Sequence, residues 1–292
     1  MPKSAKLLDV LAWIVLLVAT FAVLFPIWWT VTTSFKNPRD ISAWPPPYVP
    51  FLNFEPTLDA WKSIFGGPGQ LSSGGHAGSM IYRVVTNSLI IAASSSALAI
   101  TMGSLAAYSL SRFEFKRWKN NDIAFWILSN RMFPTVALVI PFFLMFRFLN
   151  MLDTLPAVII VHTAMNLPFV VWMMREFFLD MPKEIEESAM IDGCSVFSVL
   201  RRIVLPLAAP SVAAVAVFCF IFSWNELLFA LFLTYNQAQT LPMLVAGETH
   251  TGAPLWWLIS AVSTVAIIPP ILFAILVQKY IIRGLTLGAV KG

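Results

Sequence analysis

Charge vanishes from this chain in long stretches, and those stretches set its plan. A helix that crosses a bilayer needs about 20 mostly apolar residues. Six stretches qualify: 10–35, 84–111, 123–149, 154–174, 205–234 and 255–280. The first is free of charge, and the second is rich in Ala, Ser and Gly, which let helices approach closely. The third contains Arg131 and Arg147, and the fifth carries Asn225-Glu226 in its outer half. Pro269-Pro270 predicts a kink in the sixth. The expected fold is all-α and integral to the membrane. It is one transmembrane domain over 1–292, with both termini on the same side.

Between the fourth and fifth stretches the pattern changes. Residues 182–210, PKEIEESAMIDGCSVFSVLRRIVLPLAAP, are amphipathic rather than uniformly apolar. Pro182 suits a first helical turn, and Glu184, Glu186 and Glu187 follow where the helix dipole favours acids. Ile185, Ala189 and Val196 recur at roughly helical spacing, so one side can meet a partner. Asp192-Gly193 breaks the helix with a turn, since Gly accepts backbone angles that a side chain forbids. A second short helix, 195–204, carries Arg201-Arg202 and runs to Pro206. The whole, 176–204, reads as a helix–turn–helix elbow against the membrane face. By itself it is also compatible with a plain amphipathic connector.

Composition agrees with the pattern. The chain has 292 residues, 58% hydrophobic and 12% charged, with mean hydropathy +0.78; soluble domains carry about twice that charge. A pI of about 9.2 invites a nucleic-acid reading, but the basic residues sit between apolar stretches, where they act as a topology signal. With the N-terminus inside, thirteen Lys and Arg fall on inner segments and four (Lys36, Arg39, Lys62, Arg83) on outer ones. That bias puts the elbow and both termini in the cytoplasm. Cys194 and Cys219 suggest neither a disulfide framework nor a metal site. Stretch 10–35 is too long for a signal-peptide core and reads as retained.

Several polar groups sit where lipid would penalise them. Glu226 and Arg131 must face protein or a water-filled cavity. Trp224, Asn225 and Glu226 either border a translocation path, where a ring and polar groups could meet a polar solute, or form an interhelical network that fixes packing. His162 and Asn166 read as packing or cavity residues. Outside, 36–79 contains Pro45-Pro46-Pro47 and a Gly-rich run, predicting irregular structure. The segment 235–254 has the polar and Gly content of an ordered loop. No G-x-x-x-x-G-K-[ST] phosphate loop occurs in the sequence, so ATP hydrolysis would need another subunit. No nucleophile–base signature or metal-spaced His/Cys/Asp set supports an enzyme.

Glu187, Ala189, Gly193 and Pro206 match the E-A-A-x-x-x-G loop of bacterial ABC importer permeases, with Asp192 in its usual place and Ser188 standing where the family has its first Ala. Thr33-Ser34-Phe35-Lys36, Asn87-Ser88-Leu89, Ala106–Phe113, Leu167-Pro168-Phe169, Trp224-Asn225-Glu226 and Gly284-Leu285-Thr286 fall in the family's order. The chain resembles the smaller permease of carbohydrate importers, the maltose and glycerol-phosphate group. That resemblance implies the type I importer permease fold in a bacterial inner membrane. It implies an ATP-driven, alternating-access importer of a sugar, oligosaccharide or polyol. It further implies four kinds of partner: a related permease in a heterodimer, two ATPase subunits that hold ATP-Mg, an extracytoplasmic binding protein, and lipid. No cofactor would be bound by this chain. Glu187, Ser188, Ala189, Asp192, Gly193 and Pro206 would couple to the ATPase, with Glu187 facing a basic residue there. Gly247, Glu248, Thr249 and Gly252 would contact the binding protein, and the tail 283–292 would either reach the ATPase or fray. The competing reading, a self-contained secondary transporter or channel, asks for paired acids, an internal repeat of broken helices or a filter motif.

Overall fold

Every helix and strand assigned among residues 3–66, 77–247 and 255–288, which the computed structural model describes, is a helix. In chain order these are α1 (Lys3–Thr33), the short α2 (Pro38–Ile41) and α3 (Asp59–Phe65), then α4 (Ala77–Arg112), α5 (Asn120–Ser129) and α6 (Thr135–Phe148). They continue as α7 (Leu155–Asp180), α8 (Glu184–Ile191), α9 (Val196–Leu207), α10 (Ala209–Trp224), α11 (Leu228–Leu233), α12 (Leu241–Gly247) and α13 (Trp256–Gly288). Four of the described helices, α1, α4, α7 and α13, are each long and apolar enough to cross a membrane. Two bent pairs pass the same test: α5 with α6, and α9 with α10.

The bends revise the simple reading of two stretches. Stretch 123–149 is two helices meeting at 90°. Pro134 lacks an N–H and disfavours helical backbone at the residue before it; Phe133 is extended, at φ −65° and ψ 132°. Stretch 205–234 joins α9, bends by 78° at Ala208 and stops at Trp224. Pro206 and Pro210, one turn apart, each remove a helical donor. The chain answers with a π turn over Leu200–Val204 and a Leu205 N–H bond to the Leu200 carbonyl. Pro269-Pro270, by contrast, leave α13 a single continuous helix.

The chain divides into two compact units, Met1–Tyr82 with Val245–Ile267, and Arg83–Leu244 with Ile268–Gly292. In the first, Lys36 is buried just beyond α1, with its ammonium 3.8 Å from the Trp29 ring centroid and 5.3 Å from that of Phe54. Burial lowers its pKa from the ordinary lysine value, and Asp40 opposes that shift. The Phe35 carbonyl accepts from the Thr57 N–H at 2.7 Å. Trp13 and Leu17 on α1 are each 67% exposed, a surface suited to lipid or to another apolar helix.

In the second unit α7 is central. Its Val170, Met174 and Phe178 join Ala107 and Tyr108 of α4 and Val199 and Val204 of α9 in one core. Val158 and Val161 join Phe146 of α6 and Phe229 of α11 in another. The α4–α7 contact depends on Gly103: a Cβ there would lie 2.6 Å from Val170 Cγ1. Asp153, in the α6–α7 turn, accepts from the backbone N–H groups of Tyr235, Asn236, Gln237 and Ala238 at 2.9–3.1 Å. Burial alone would raise the Asp153 pKa, but these donors outweigh it and hold it below the ordinary carboxylate value.

Two outcomes follow. Gly103→Ala gains about 1 kcal/mol of helix propensity but overpacks the core by about 1–3 kcal/mol. Thermal unfolding in detergent should show net destabilisation, partly reversed by adding Val170→Ala. Asp153→Asn should cost about 2 kcal/mol, the scale of hydrogen bonds to a charged group. Because the folded pKa is lowered, the wild-type contribution is complete above the ordinary carboxylate range. It is lost as pH falls through that range towards the folded value. The stability gap between wild type and Asp153→Asn should therefore close on acidification; a gap independent of pH would contradict this.

Candidate functional site

The elbow is fastened by a buried charge. Tyr108 and Arg112 lie one turn apart at the end of α4 and so share a face. Between them they occupy both oxygens of Glu186. Tyr108 Oη donates to Oε2 at 2.7 Å, Arg112 Nε donates to Oε1 at 2.8 Å, and Arg112 Nη2 lies 2.6 Å from the same oxygen. Arg112 Nη2 also donates to the Met181 carbonyl at 3.3 Å. The Glu186 residue is 2% exposed. The Tyr108 ring stands edge-on to Phe178, centroids 5.8 Å apart.

That fastening sets the rotation of α8. Glu186 and Ala189, three residues apart, point inward, and Ala189 is packed in the core. The expectation that Ile185, Ala189 and Val196 form one partner-facing side is therefore corrected: Ala189 belongs to the chain's own interior. What faces outward is Glu187, Ser188, Asp192 and Gly193, with Ile191 and Phe197 as the most exposed apolar side chains of the elbow. The Ser188 hydroxyl donates back to the Glu184 carbonyl at 2.7 Å. Gly193 has φ +86°. Its N–H bonds to the Met190 carbonyl and that of Cys194 to the Ala189 carbonyl, both at 3.0 Å, a left-handed helix stop. Ser195 then caps α9 by accepting from the Ser198 N–H. Pro206 is exposed beside the 78° bend.

A second polar group lies between α6, α7, α10 and α11. A cavity of about 470 Å³ is bordered by Arg131, His162, Asn166, Ser223, Asn225 and Glu226, among others. Glu226 Oε2 is 3.1 Å from His162 Nε2. The carboxylate also accepts from the Phe229 N–H at 2.9 Å and the Ala230 N–H at 3.3 Å, capping α11. With Glu226 ionised, the His162 contact requires the proton on Nε2. Asn166 Nδ2 donates to Ser223 Oγ at 2.8 Å, and Ser223 Oγ lies 3.0 Å from Ser95 Oγ on α4. Arg131 rests on aromatic faces, 4.6 Å from the Phe222 centroid and 5.1 Å from that of Phe169.

Of the three residues assigned from sequence to a translocation path, Asn225 and Glu226 border this cavity. Trp224 does not. It is buried, with its ring stacked 5.8 Å from Phe220, because the helix ends at Trp224 and the next residues turn away from its packed face. Sequence reasoning missed the Tyr108–Arg112–Glu186 set. Its signal was the one-turn spacing of a phenol and a guanidinium at a membrane edge. Gly247 ends α12 and is exposed. Glu248, Thr249 and Gly252 lie outside the described residues, as does the tail beyond Gly288.

Removing the Glu226 carboxylate leaves His162 and two backbone donors without their acceptor. Glu226→Leu should cost about 2–4 kcal/mol. Glu226→Gln, which keeps an acceptor oxygen, should cost less. Equal melting temperatures for the two variants would show that the carboxylate is not holding this network.

Residues 99–287 match the family described as binding-protein-dependent transport system inner membrane component. A probable ABC transporter permease of Sinorhizobium fredii is 36% identical, over 99% of this chain and 96% of the relative. A trehalose/maltose transport system permease of Thermococcus litoralis is 34% identical over 92% of both chains. A sulfoquinovosyl glycerol transport system permease of Agrobacterium fabrum is 33% identical, over 92% of this chain and 89% of the relative. The fold is similar to a chain in the crystal structure of a bacterial ABC transporter that imports the acidic polysaccharide alginate. That likeness has a TM-score of 0.71 and 20% identity, over 96% of this chain and 98% of the other.

Proposed function

The chain belongs to the family of binding-protein-dependent transport system inner membrane components, and from that premise we propose that it carries a sugar, oligosaccharide or polyol inward as one permease of an ABC importer. Its assembly is one copy of this chain, one related permease, two ATPase subunits and an extracytoplasmic solute-binding protein. ATP-Mg is held by the ATPase subunits. The protein is multi-pass in a bacterial inner membrane, with its termini and elbow in the cytoplasm.

The observation that carries the coupling role is the elbow's outward face. Exposed Ile191 and Phe197 beside Glu187 and Asp192 supply an apolar contact with acidic neighbours. That chemistry suits a groove with basic residues, where a carboxylate–guanidinium contact is directional. The solute class is supported by the named substrates of the trehalose/maltose and sulfoquinovosyl glycerol relatives. The cavity around His162, Asn166 and Glu226 supplies hydroxyl-binding groups and is the segment of the translocation path contributed by this subunit. Gly247, Glu248, Thr249 and Gly252 meet the binding protein. A self-contained transporter or channel has no specific observation in its favour.

Affinity purification of the tagged chain from native membranes should recover a second permease, an ATPase and a binding protein. ATP hydrolysis by that assembly should rise when the binding protein is loaded with its sugar. A lone or homo-oligomeric chain would overturn the proposal. Gly193→Pro demands φ near −65° where the turn has +86°. It should leave membrane insertion intact while uncoupling uptake from hydrolysis; full uptake would contradict the coupling role of this turn.

A further inference from the structure

The elbow has soft joints at both ends. Met181–Lys183 lead into α8 without regular helix, and the Gly193 turn leads out. Between them α8 is only eight residues long, too short to hold its shape or direction without tertiary contacts. Beyond its contact with α9, it is tied to the rest of the unit by Ala189 in the core and by the Glu186 carboxylate, whose two oxygens are both taken by α4. Parting this pair would leave a buried carboxylate and a buried guanidinium without their opposite charge, the costly way to break an ion pair.

The helix that receives this tie is unlike its neighbours. α1, α6, α7 and α13 contain internal prolines, whereas α4 runs 36 residues with none. From Asn87 to Arg112 it extends about 38 Å at 1.5 Å per residue. It is fastened by side chains at three levels. About three turns in, Asn87 Nδ2 donates to the carbonyls of Gln237 and Gln239 at 2.8 and 3.0 Å, and Ser88 Oγ accepts from the Leu241 N–H at 2.8 Å. In the middle, Ser95 Oγ meets Ser223 Oγ beside the polar cavity. At its end, Tyr108 and Arg112 hold Glu186.

We propose that Tyr108, Arg112 and Glu186 form a rigid joint that makes α8 and α4 move as one body. A displacement at the elbow's outer face is then delivered along α4 to Ser223 at the cavity and to the 237–241 segment beyond it. Glu186 is a positioning residue: it acts through α4 and touches no solute. The joint is distinct from Glu187, which faces outward from the same helix. Its use in transport rests on the importer reading above, whereas its mechanical role does not.

Two measurements separate these. In the isolated chain in nanodiscs, amide hydrogen exchange over 184–193 should speed about tenfold or more in Glu186→Gln and stay at the wild-type rate in Glu184→Gln, a change on the exposed side. Unchanged exchange in Glu186→Gln overturns the joint whatever the partners are. In the assembly purified with its ATPase, Glu186→Gln should retain wild-type assembly yield and hydrolysis while uptake per ATP falls by about tenfold. The exchanged pair, Glu186→Arg with Arg112→Glu, should recover part of that loss. Uptake and hydrolysis falling in proportion, or neither changing, would overturn transmission through the joint. Failure of the wild-type chain to retain an ATPase would instead refute the importer reading, leaving the exchange experiment to decide the joint.

Discussion

A carboxylate removed from water must find its full complement of donors, and at Glu186 that requirement organises the elbow end of the second unit. Arg112 and Tyr108 satisfy both oxygens from one helical face. Once they do, the rotation of α8 is fixed: Ala189 is driven into the core, and Ile191 and Glu187 are left outside. The composition of the elbow's outward face is thus a consequence of an interior contact. The Gly193 turn permits it, because a left-handed residue there lets α9 fold back against α4 and α7.

The same rule recurs at buried Asp153 and half-buried Glu226. Asp153 gathers four backbone N–H groups from 235–238, and Glu226 gathers two from α11 together with His162. Each carboxylate holds a point where the chain leaves regular helix. Prolines create two further departures: Pro134 opens the α5–α6 bend, and Pro206 with Pro210 bends α9 against α10. In an apolar solvent, helix breaks survive only where protein supplies the missing partners. The polar cavity is built at such a break, with α10 ending and α11 beginning at its wall. A permease that opens alternately to the two sides needs an irregular polar centre and a stiff connection to its motor. The continuous α4, which meets Ser223 of the cavity wall through Ser95 and holds Glu186 of the elbow, is the proposed candidate for the second.

Much of this was legible from the chain's polarity alone. The absence of charge located the apolar helices, and Pro182, the acids after it and Asp192-Gly193 outlined the elbow. The turn at Gly193 was readable because few residues tolerate its backbone. Other features depended on three-dimensional partners. Stretches 123–149 and 205–234 are mostly apolar from end to end, so periodicity could not reveal that each contains a sharp bend. Glu184, Glu186 and Glu187 are chemically alike in sequence, and Glu186 is singled out by Arg112 and Tyr108, 74 and 78 positions away. Trp224 was grouped with Asn225 and Glu226 by adjacency, yet the helix end sends it to the opposite environment. The Asp153 nest was also hidden, since its donors are backbone groups that carry no residue signature.

Whether the elbow and α4 form one moving body can be read from spin labels at the exposed positions Met102 on α4 and Ile191 on α8, with their separation measured in the assembled transporter without nucleotide and with ATP bound. One body gives the same distance distribution in both states, while a pair from Ile191 to an exposed residue of the α6 end, such as Phe148, changes. A Met102–Ile191 distance that shifts on ATP binding, with α8 swinging away from α4, would contradict it.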